Sequence, residues 1–196
     1  KSIHGCLLFR PLPKQFDDRT IRAALAPEKD IDGITDSSLA GVFTNSAIGY
    51  PPCTAQACLE ILKYYQVPLS GKRAVVVGRS LVVGKPAAMM LDRENATVTL
   101  CNSRTQNLPA LCQEADVVVV AMGKQGAIGG EHLRAGQVVV DVGIHVNAEG
   151  KLCGDVRFDE AEPLVAAVTP VPGGVGTVTT SVLVGHVVEA AEKALG

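Results

Sequence analysis

Two glycines with polar side chains between them follow an apolar run near the middle of the chain. The run ends in Gly78, and Arg79 and Ser80 stand between this glycine and Gly84. An apolar run without alternation is typical of a strand that is buried on both faces of a parallel sheet. Glycines directly after such a strand allow a tight turn, in which backbone N–H groups approach a phosphate at a helix N-terminus. The pattern therefore predicts a nucleotide-binding turn; an ordinary strand-to-helix turn, which also favours glycine, is the alternative interpretation.

The residues after the next strand indicate which nucleotide binds. Asn95–Cys101 is rich in β-branched residues and is predicted to form a strand. An NAD-binding unit has an acidic residue about 20 positions after the glycines, where it binds the ribose 2′-hydroxyl. Here Asn102, Ser103 and Arg104 occupy that place, and none of them is acidic. Because Arg and Ser donate hydrogen bonds to a 2′-phosphate that a carboxylate would repel, we expect NADP rather than NAD.

Four side chains are the expected contacts of the cofactor's 2′-phosphate and nicotinamide ring. Arg79, Ser103 and Arg104 would surround the 2′-phosphate, unless Arg104 is only a solvated surface charge. Ile144 ends the segment Asp141–Ile144, which follows a predicted strand, and ligands bind where the strands of open parallel sheets end. Its apolar side chain would pack against the nicotinamide ring; a place in the core is the alternative.

Strands and helices alternate along most of the chain, which implies a parallel sheet with helices on both faces. The predicted strands lie at residues 3–9, from residue 74 to the first glycine, and at 95–101, 116–121, 137–142 and 166–169. The predicted helices lie at residues 18–25, 54–65, 86–91, 108–114 and 179–195. Thr54 is the expected cap of the second helix. Residues 34–52, rich in Gly, Ser, Asn and Pro, are predicted to form a long loop.

Composition excludes several classes of partner. The formal net charge of −2 argues against binding to nucleic acid, and only 4% of residues are aromatic, too few for a base-stacking platform. No apolar run is long enough to span a membrane. Six cysteines occur without a Cys-x-x-Cys pair or a zinc-ligand spacing, so we expect no metal site and a reducing intracellular compartment.

Sequence motifs along nearly the whole chain resemble the bifunctional methylenetetrahydrofolate dehydrogenase/methenyltetrahydrofolate cyclohydrolase family. The most specific is Pro-Val-Pro-Gly-Gly-Val-Gly at residues 170–176. The others, in the order of the family, are Ile-His-Gly at 3–5, Pro-Leu-Pro at 11–13, Lys-Asp-Ile-Asp-Gly at 29–33, Pro-Cys-Thr at 52–54, Val-Gly-Arg-Ser at 77–80, Val-Gly-Lys-Pro at 83–86, Asn-Ala-Thr-Val-Thr at 95–99, Asp-Val-Gly-Ile at 141–144 and Gly-Asp-Val at 154–156.

The resemblance implies an α/β fold, with a Rossmann-type parallel-sheet domain and part of a second α/β, folate-binding domain. Residues 1–58 would be the partial folate-binding and catalytic domain, residues 66–178 the NADP-binding domain, and residues 179–196 a helix that packs back toward the first domain. The family's cofactor contacts fall on Gly78, Arg79, Ser80, Ser103, Ile144 and Thr179, and its folate-binding aspartate falls on Asp32. A turn residue before Gly33 is the alternative interpretation of Asp32.

The implied activity is NADP-dependent oxidation of 5,10-methylenetetrahydrofolate, followed by hydrolysis to 10-formyltetrahydrofolate. The implied setting is one-carbon metabolism and purine biosynthesis in the cytoplasm, in a homodimer that acts on tetrahydrofolate derivatives.

Two departures from the family concern the proton chemistry. The family has a catalytic Tyr followed four residues later by Lys, and no tyrosine of this sequence has that neighbour. The resemblance places that pair before Ile3, so we expect about the first third of a family-length chain to lie outside these residues. Many members have Gln, which supports the Lys, where this chain has Phe9. A dehydrogenase without cyclohydrolase activity, a shikimate dehydrogenase-like NADP oxidoreductase and a non-catalytic NADP-binding module are the alternatives.

Overall fold

A five-stranded parallel sheet forms the centre of the computed structural model, which describes residues 3–195. Its strands are β1 (Arg73–Val77), β2 (Thr97–Cys101), β3 (Val117–Val120), β4 (Val138–Asp141) and β7 (Ala167–Val168), in the order β2-β1-β3-β4-β7. Strands β5 (His145–Val146) and β6 (Leu152–Cys153) form a separate antiparallel hairpin. The strand order places the ends of β1, β2, β3 and β4 along one edge, where ligands bind in sheets of this type.

Helices cover both faces of the sheet. They are α1 (Asp18–Ala24), α2 (Asp36–Thr44), α3 (Cys53–Tyr64), α4 (Gly84–Arg93), α5 (Leu108–Glu114), α6 (Phe158–Ala161) and α7 (Val175–Leu195). Residues of α3, α4 and α7 pack with Val76, Val119 and Val140 on one face. Residues of α5 and α6 pack with the alternate strand residues on the other face. The predicted α/β architecture with a Rossmann-like parallel sheet is confirmed.

The apolar strands are central because they are buried on both sides. All four residues of β3 are buried, and so are the last four residues of β1. Full burial of one valine side chain contributes about 1.5–3 kcal/mol. This explains why continuous valine runs, rather than alternating patterns, predicted these strands correctly.

Three predictions for the first part of the chain are wrong. Residues 3–9 do not form a strand; Cys6 makes a single bridge to Asp30, and Phe9 is 81% exposed. Residues 34–52 are not one loop, since α2 begins after Thr35, whose hydroxyl accepts a hydrogen bond from the Ser38 N–H. Thr54 does not cap α3, because that helix already begins one residue earlier, after a proline that makes no side-chain cap bond.

Helix α7 connects the sheet to the first part of the chain. It begins at Val175, four residues before the predicted start, and packs along α3. Near its C-terminal end, Ala190 lies in a small core with Ile31 and Tyr50. One helix therefore packs against both the sheet and the first part of the chain.

Candidate functional site

The turn after β1 has no room for side chains at either glycine. Gly78 has a φ of +123°, and a Cβ on it would overlap the carbonyl oxygen of Ala121. A Cβ on Gly84 would overlap the carbonyl oxygen of Gly78. Gly84 is also the first residue of α4, so the turn leads straight into a helix N-terminus. A backbone that is this close to a helix N-terminus has the geometry required for a pyrophosphate group.

Ser80 stabilises the same turn from within. Its hydroxyl accepts a hydrogen bond of 3.1 Å from the Val83 N–H, and its carbonyl accepts one of 3.0 Å from the Lys85 N–H. Arg79 and Ser80 are both exposed at the surface of the turn. The two side chains that sequence reasoning selected here thus differ: Ser80 is bonded to the turn, whereas Arg79 extends into solvent.

The turn after β2 lies beside the turn after β1. Val77 pairs with Cys101, and the Gly78 N–H donates to the Cys101 carbonyl at 3.0 Å. Asn102 accepts a bond from the Arg104 N–H through its side-chain oxygen, which orders the turn that carries Ser103. Ser103 and Arg104 are exposed. Among residues 3–195, neither Arg79 nor Arg104 forms an ion pair.

The loop after β4 and the start of α7 enclose a third part of the site. Ile144 is 64% exposed, which excludes the core alternative, and it lies against Gly176. The loop and residues 170–177 line a shared cavity of about 150 Å³. Thr179 lies one turn further along α7 and is half-buried, with its hydroxyl donating to the Val175 carbonyl at 3.0 Å. The structure thus brings Ile144 to the glycine-rich segment, whereas the Thr179 hydroxyl bonds within its own helix.

Two buried carboxylates, which sequence reasoning left without a role, order the loops at this edge. Asp141 accepts bonds from the N–H groups of Gly143, Asp155 and Val156 at 2.9, 3.0 and 2.9 Å. Burial raises the pKa of Asp141 above its ordinary value, and these bonds oppose that shift. The motifs that contain Asp141 and Asp155 were visible in the sequence, but their pairing across the intervening hairpin was not.

Asp155 binds the loop that follows β3. Its carboxylate accepts from the N–H groups of Met122, Gly123 and Lys124 at 2.6, 2.9 and 2.8 Å. His145 Nε2 lies 2.7 Å from the same carboxylate. Four polar groups therefore meet one fully buried side chain, which joins the loop after β3 to the hairpin.

Asp32 lies in the first part of the chain, away from the sheet core. It is half-buried, and burial raises its pKa above the ordinary value, while the nearby Cys53 thiol and the charge of Arg10 act in the opposite direction. The next residue, Gly33, has a φ of +63°, so the alternative role as a turn residue agrees with the backbone as well. The side chain borders a small cleft of about 50 Å³.

This cleft joins the two candidate halves of the site. Its walls include Asp32 and Arg10 from the first part of the chain and Leu81 and Val82 from the glycine turn after β1. A ligand bound at Asp32 would therefore lie next to a ligand bound at the turn.

Comparison with known proteins identifies the family. The family model for the "Tetrahydrofolate dehydrogenase/cyclohydrolase, NAD(P)-binding domain" matches residues 52–195. The chain belongs to the tetrahydrofolate dehydrogenase/cyclohydrolase family. A relative named "Bifunctional protein FolD" from Carboxydothermus hydrogenoformans is 56% identical over 194 residues, which are 98% of this chain and 68% of the relative. The predicted family resemblance is thereby confirmed, and a shikimate dehydrogenase-like identity is excluded.

Solved structures of the family have the same fold. The bifunctional enzyme FolD from Campylobacter jejuni superposes with a TM-score of 0.94 at 36% identity, over 97% of this chain and 68% of that one. The FolD enzyme from Trypanosoma brucei, solved in complex with NADP cofactor and an inhibitor, superposes with a TM-score of 0.91 at 35% identity, over 98% and 68% of the two chains. The chain thus spans about two thirds of the length of these family members.

Proposed function

We propose that this chain carries the NADP-dependent oxidation of 5,10-methylenetetrahydrofolate to 5,10-methenyltetrahydrofolate, and takes part in hydrolysis of that product to 10-formyltetrahydrofolate. The observation that supports this most strongly is the cleft shared by Asp32 and the glycine turn. A folate and a bound dinucleotide must be adjacent for a hydride to pass between them, and this cleft brings Asp32 next to the turn proposed to hold the pyrophosphate of the dinucleotide. Family membership supplies the substrate class.

Preference for NADP over NAD is supported by the charges around the turn after β2. The residues from Asn102 to Gln106 include no carboxylate, and Arg104 lies among them with an exposed side chain. Arg79 lies on the neighbouring turn, which β1 and β2 hold side by side. A 2′-phosphate placed between these turns would contact two guanidinium groups. Within residues 3–195 these groups form no ion pair that would have to break first. Each charge-assisted hydrogen bond is worth about 1.5–3 kcal/mol.

Asp32 is the proposed contact of the pterin ring. The ring edge offers an N–H and an amino group side by side, a pair that one carboxylate can accept in parallel. Asp32 must be ionised to accept both bonds. Its half-buried position at the end of a narrow cleft makes these bonds stronger than they would be in open water.

The chemistry requires positioning more than acid or base catalysis. NADP supplies the hydride acceptor when it is bound. The substrate nitrogen beside the methylene carbon stabilises the cation that remains, so the chain needs mainly to align the two molecules and to exclude water. Ile144 is the proposed contact of one face of the nicotinamide ring, since its side chain is exposed beside residues 170–177.

A dehydrogenase without cyclohydrolase activity is the second candidate function. Hydrolysis of the methenyl group requires proton transfers, for which the family uses a Lys that Gln supports in many members. Phe9, which stands where many family members have Gln, cannot hydrogen-bond a lysine. The assay adds 5,10-methenyltetrahydrofolate to the 196-residue polypeptide and monitors the decrease in absorbance of this compound. Hydrolysis supports the bifunctional enzyme, and its absence supports the dehydrogenase alone.

We further propose a cytoplasmic homodimer, as the family resemblance implies. The six cysteines are free, in agreement with a reducing compartment. Within residues 3–195, the helices are too short or too polar to cross a membrane. Sedimentation measurements of the purified protein test the dimer.

Binding measurements test the cofactor proposal. We expect the dissociation constant of NADP to be much lower than that of NAD, and Arg104→Gln to weaken NADP binding about 10- to 100-fold while leaving NAD binding unchanged. Arg93→Gln, at an exposed arginine in the last turn of α4, is the matched control with the same loss of charge. Equal affinity of the unmodified protein for the two cofactors would contradict the proposal.

A further inference from the structure

A buried histidine near the middle of α7 contacts the segment that carries Asp32. His186 is 4% exposed, and its ring lies 4.9 Å from the ring of Tyr50. Its Nδ1 lies 2.8 Å from the carbonyl oxygen of Ile31, the residue directly before Asp32. Its Nε2 lies 2.8 Å from Gln56 Oε1 on α3. The ring thus joins three elements that are far apart in the sequence.

The Ile31 carbonyl is the group of this segment that side chains of α7 and α3 approach within bonding distance. On one side of it, the buried Asp30 carboxylate accepts bonds from the Ile34 and Thr35 N–H groups and from the Ser38 hydroxyl, at 3.0, 2.8 and 2.6 Å. These bonds order the residues around Asp30, and a bond of 3.1 Å from the Gly33 N–H to the Asp30 carbonyl closes a turn over Ile31 and Asp32. Within this turn, the peptide between Ile31 and Asp32 is also bonded to α7 and α3 through its carbonyl.

Two donors reach that carbonyl. His186 Nδ1 is at 2.8 Å, and Cys53 Sγ is at 3.2 Å. A thiol is a weak donor, so the imidazole makes the stronger bond. Rotation of this peptide would turn the Asp32 side chain away from the cleft that it shares with Leu81 and Val82.

We propose that His186 is a positioning residue for the reduced folate: its Nδ1–H donates to the Ile31 carbonyl and thereby sets the direction in which Asp32 faces the cleft. The inference rests on the proposed function, because that proposal makes Asp32 the folate contact. His186 acts on Asp32 only through the Ile31 backbone, and it contacts neither substrate nor cofactor. Its removal should therefore affect folate binding and leave NADP binding unchanged.

Two conservative substitutions separate positioning from packing. The amide nitrogen of Asn branches at the same carbon as imidazole Nδ1, so His186→Asn can keep the bond to the Ile31 carbonyl. Gln is longer and can take the place of Nε2, so His186→Gln keeps a polar contact with Gln56 but loses the bond to Ile31. Both variants remove the ring from Tyr50, so a loss that comes from packing should affect them equally.

The experiment measures, in the intact protein, the dissociation constants of 5-formyltetrahydrofolate and of NADP by calorimetry. We expect His186→Gln to weaken 5-formyltetrahydrofolate binding about tenfold, the effect of one lost hydrogen bond, and to change NADP binding less than twofold. His186→Asn should keep the folate affinity of the unmodified protein. Equal losses in the two variants, or none in either, would overturn the inference while the proposed function stands. Failure of the unmodified protein to bind this folate would overturn both.

A second measurement needs no variant, which keeps the inference testable if His186→Gln does not fold. The ¹⁵N chemical shifts of the His186 ring in the unmodified protein report which nitrogen carries a proton. A proton on Nδ1, with a shift that changes when 5-formyltetrahydrofolate binds, is the expected result. A bare Nδ1 could not donate to Ile31 and would overturn the inference.

Discussion

Replacement of Asp155 by asparagine removes a charge while keeping the shape of the side chain. In the native protein one carboxylate oxygen accepts from the Met122 and Gly123 N–H groups, and the other accepts from the Lys124 N–H and lies 2.7 Å from His145 Nε2. Asparagine has a single acceptor oxygen. Whichever way the amide turns, its NH2 group faces donors.

The less costly orientation determines the size of the effect. If NH2 replaces the oxygen near His145, the imidazole can change tautomer and accept, so only the Lys124 N–H loses its acceptor. A donor left without a partner costs about 1–3 kcal/mol, and the cost is at the low end here because Lys124 is exposed to water. The two remaining bonds lose their charge assistance, at about 1 kcal/mol each. We therefore expect Asp155→Asn to lower the free energy of unfolding by about 2–4 kcal/mol.

Thermal unfolding followed by circular dichroism measures this loss. In a domain of this size 1 kcal/mol corresponds to about 2–4 °C, so a loss of 3 kcal/mol lowers the Tm by about 6–12 °C. Asp92→Asn, at an exposed position in α4, makes the same change of charge and should stay within about 0.5 kcal/mol of the unmodified protein. If Asp155→Asn unfolds at the same temperature as Asp92→Asn, the carboxylate does not hold these loops and the reasoning is refuted.

Other predictions concern the glycine turn and the pH dependence of folate binding. Gly84→Ala places a Cβ against the Gly78 carbonyl and should weaken NADP binding at least about tenfold. Gly185→Ala, in α7 with open space around it, should instead stabilise the protein by about 0.5–1 kcal/mol. Similar NADP affinities of the two variants would contradict this prediction. Because the pKa of Asp32 is raised by burial, protonation should begin to weaken 5-formyltetrahydrofolate binding at a higher pH than for an ordinary aspartate. Dissociation constants measured across the acidic range should show this dependence in the unmodified protein and not in Asp32→Asn.

The parts of the fold that were predictable from the sequence are those formed by local patterns. Valine runs buried on both faces predicted β1, β3 and β4 to within two residues, and the predicted bounds of α5 match the structure. The missed helix α2 has a weakly amphipathic sequence that contains several small polar residues, and its N-terminus depends on the Thr35 cap and on the buried Asp30 carboxylate. An apolar composition alone does not make residues 3–9 a strand, because a strand requires a partner to which its backbone can bond.

The two halves of the candidate site differ in the same way. The glycine turn was predictable because Gly78 and Gly84 are close in the sequence and their conformations follow from the strand and helix that flank them. Asp32 depends on bonds that cross the chain, such as the one from His186, which lies 155 residues from Ile31. A local sequence pattern does not show which residues at such a separation are in contact.

This difference has a consequence for how the site responds to destabilisation. The turn after β1 is supported by the most deeply buried strands, whereas the Asp32 segment packs on α7 through the small core of Ile31, Tyr50 and Ala190, and its Ile31 carbonyl bonds to α3 and α7. A small core between two elements opens at a lower free energy than the main core of the same protein. Substitutions that loosen α7 should therefore weaken folate binding before they weaken NADP binding, and the enzyme would hold its cofactor after it had lost its substrate.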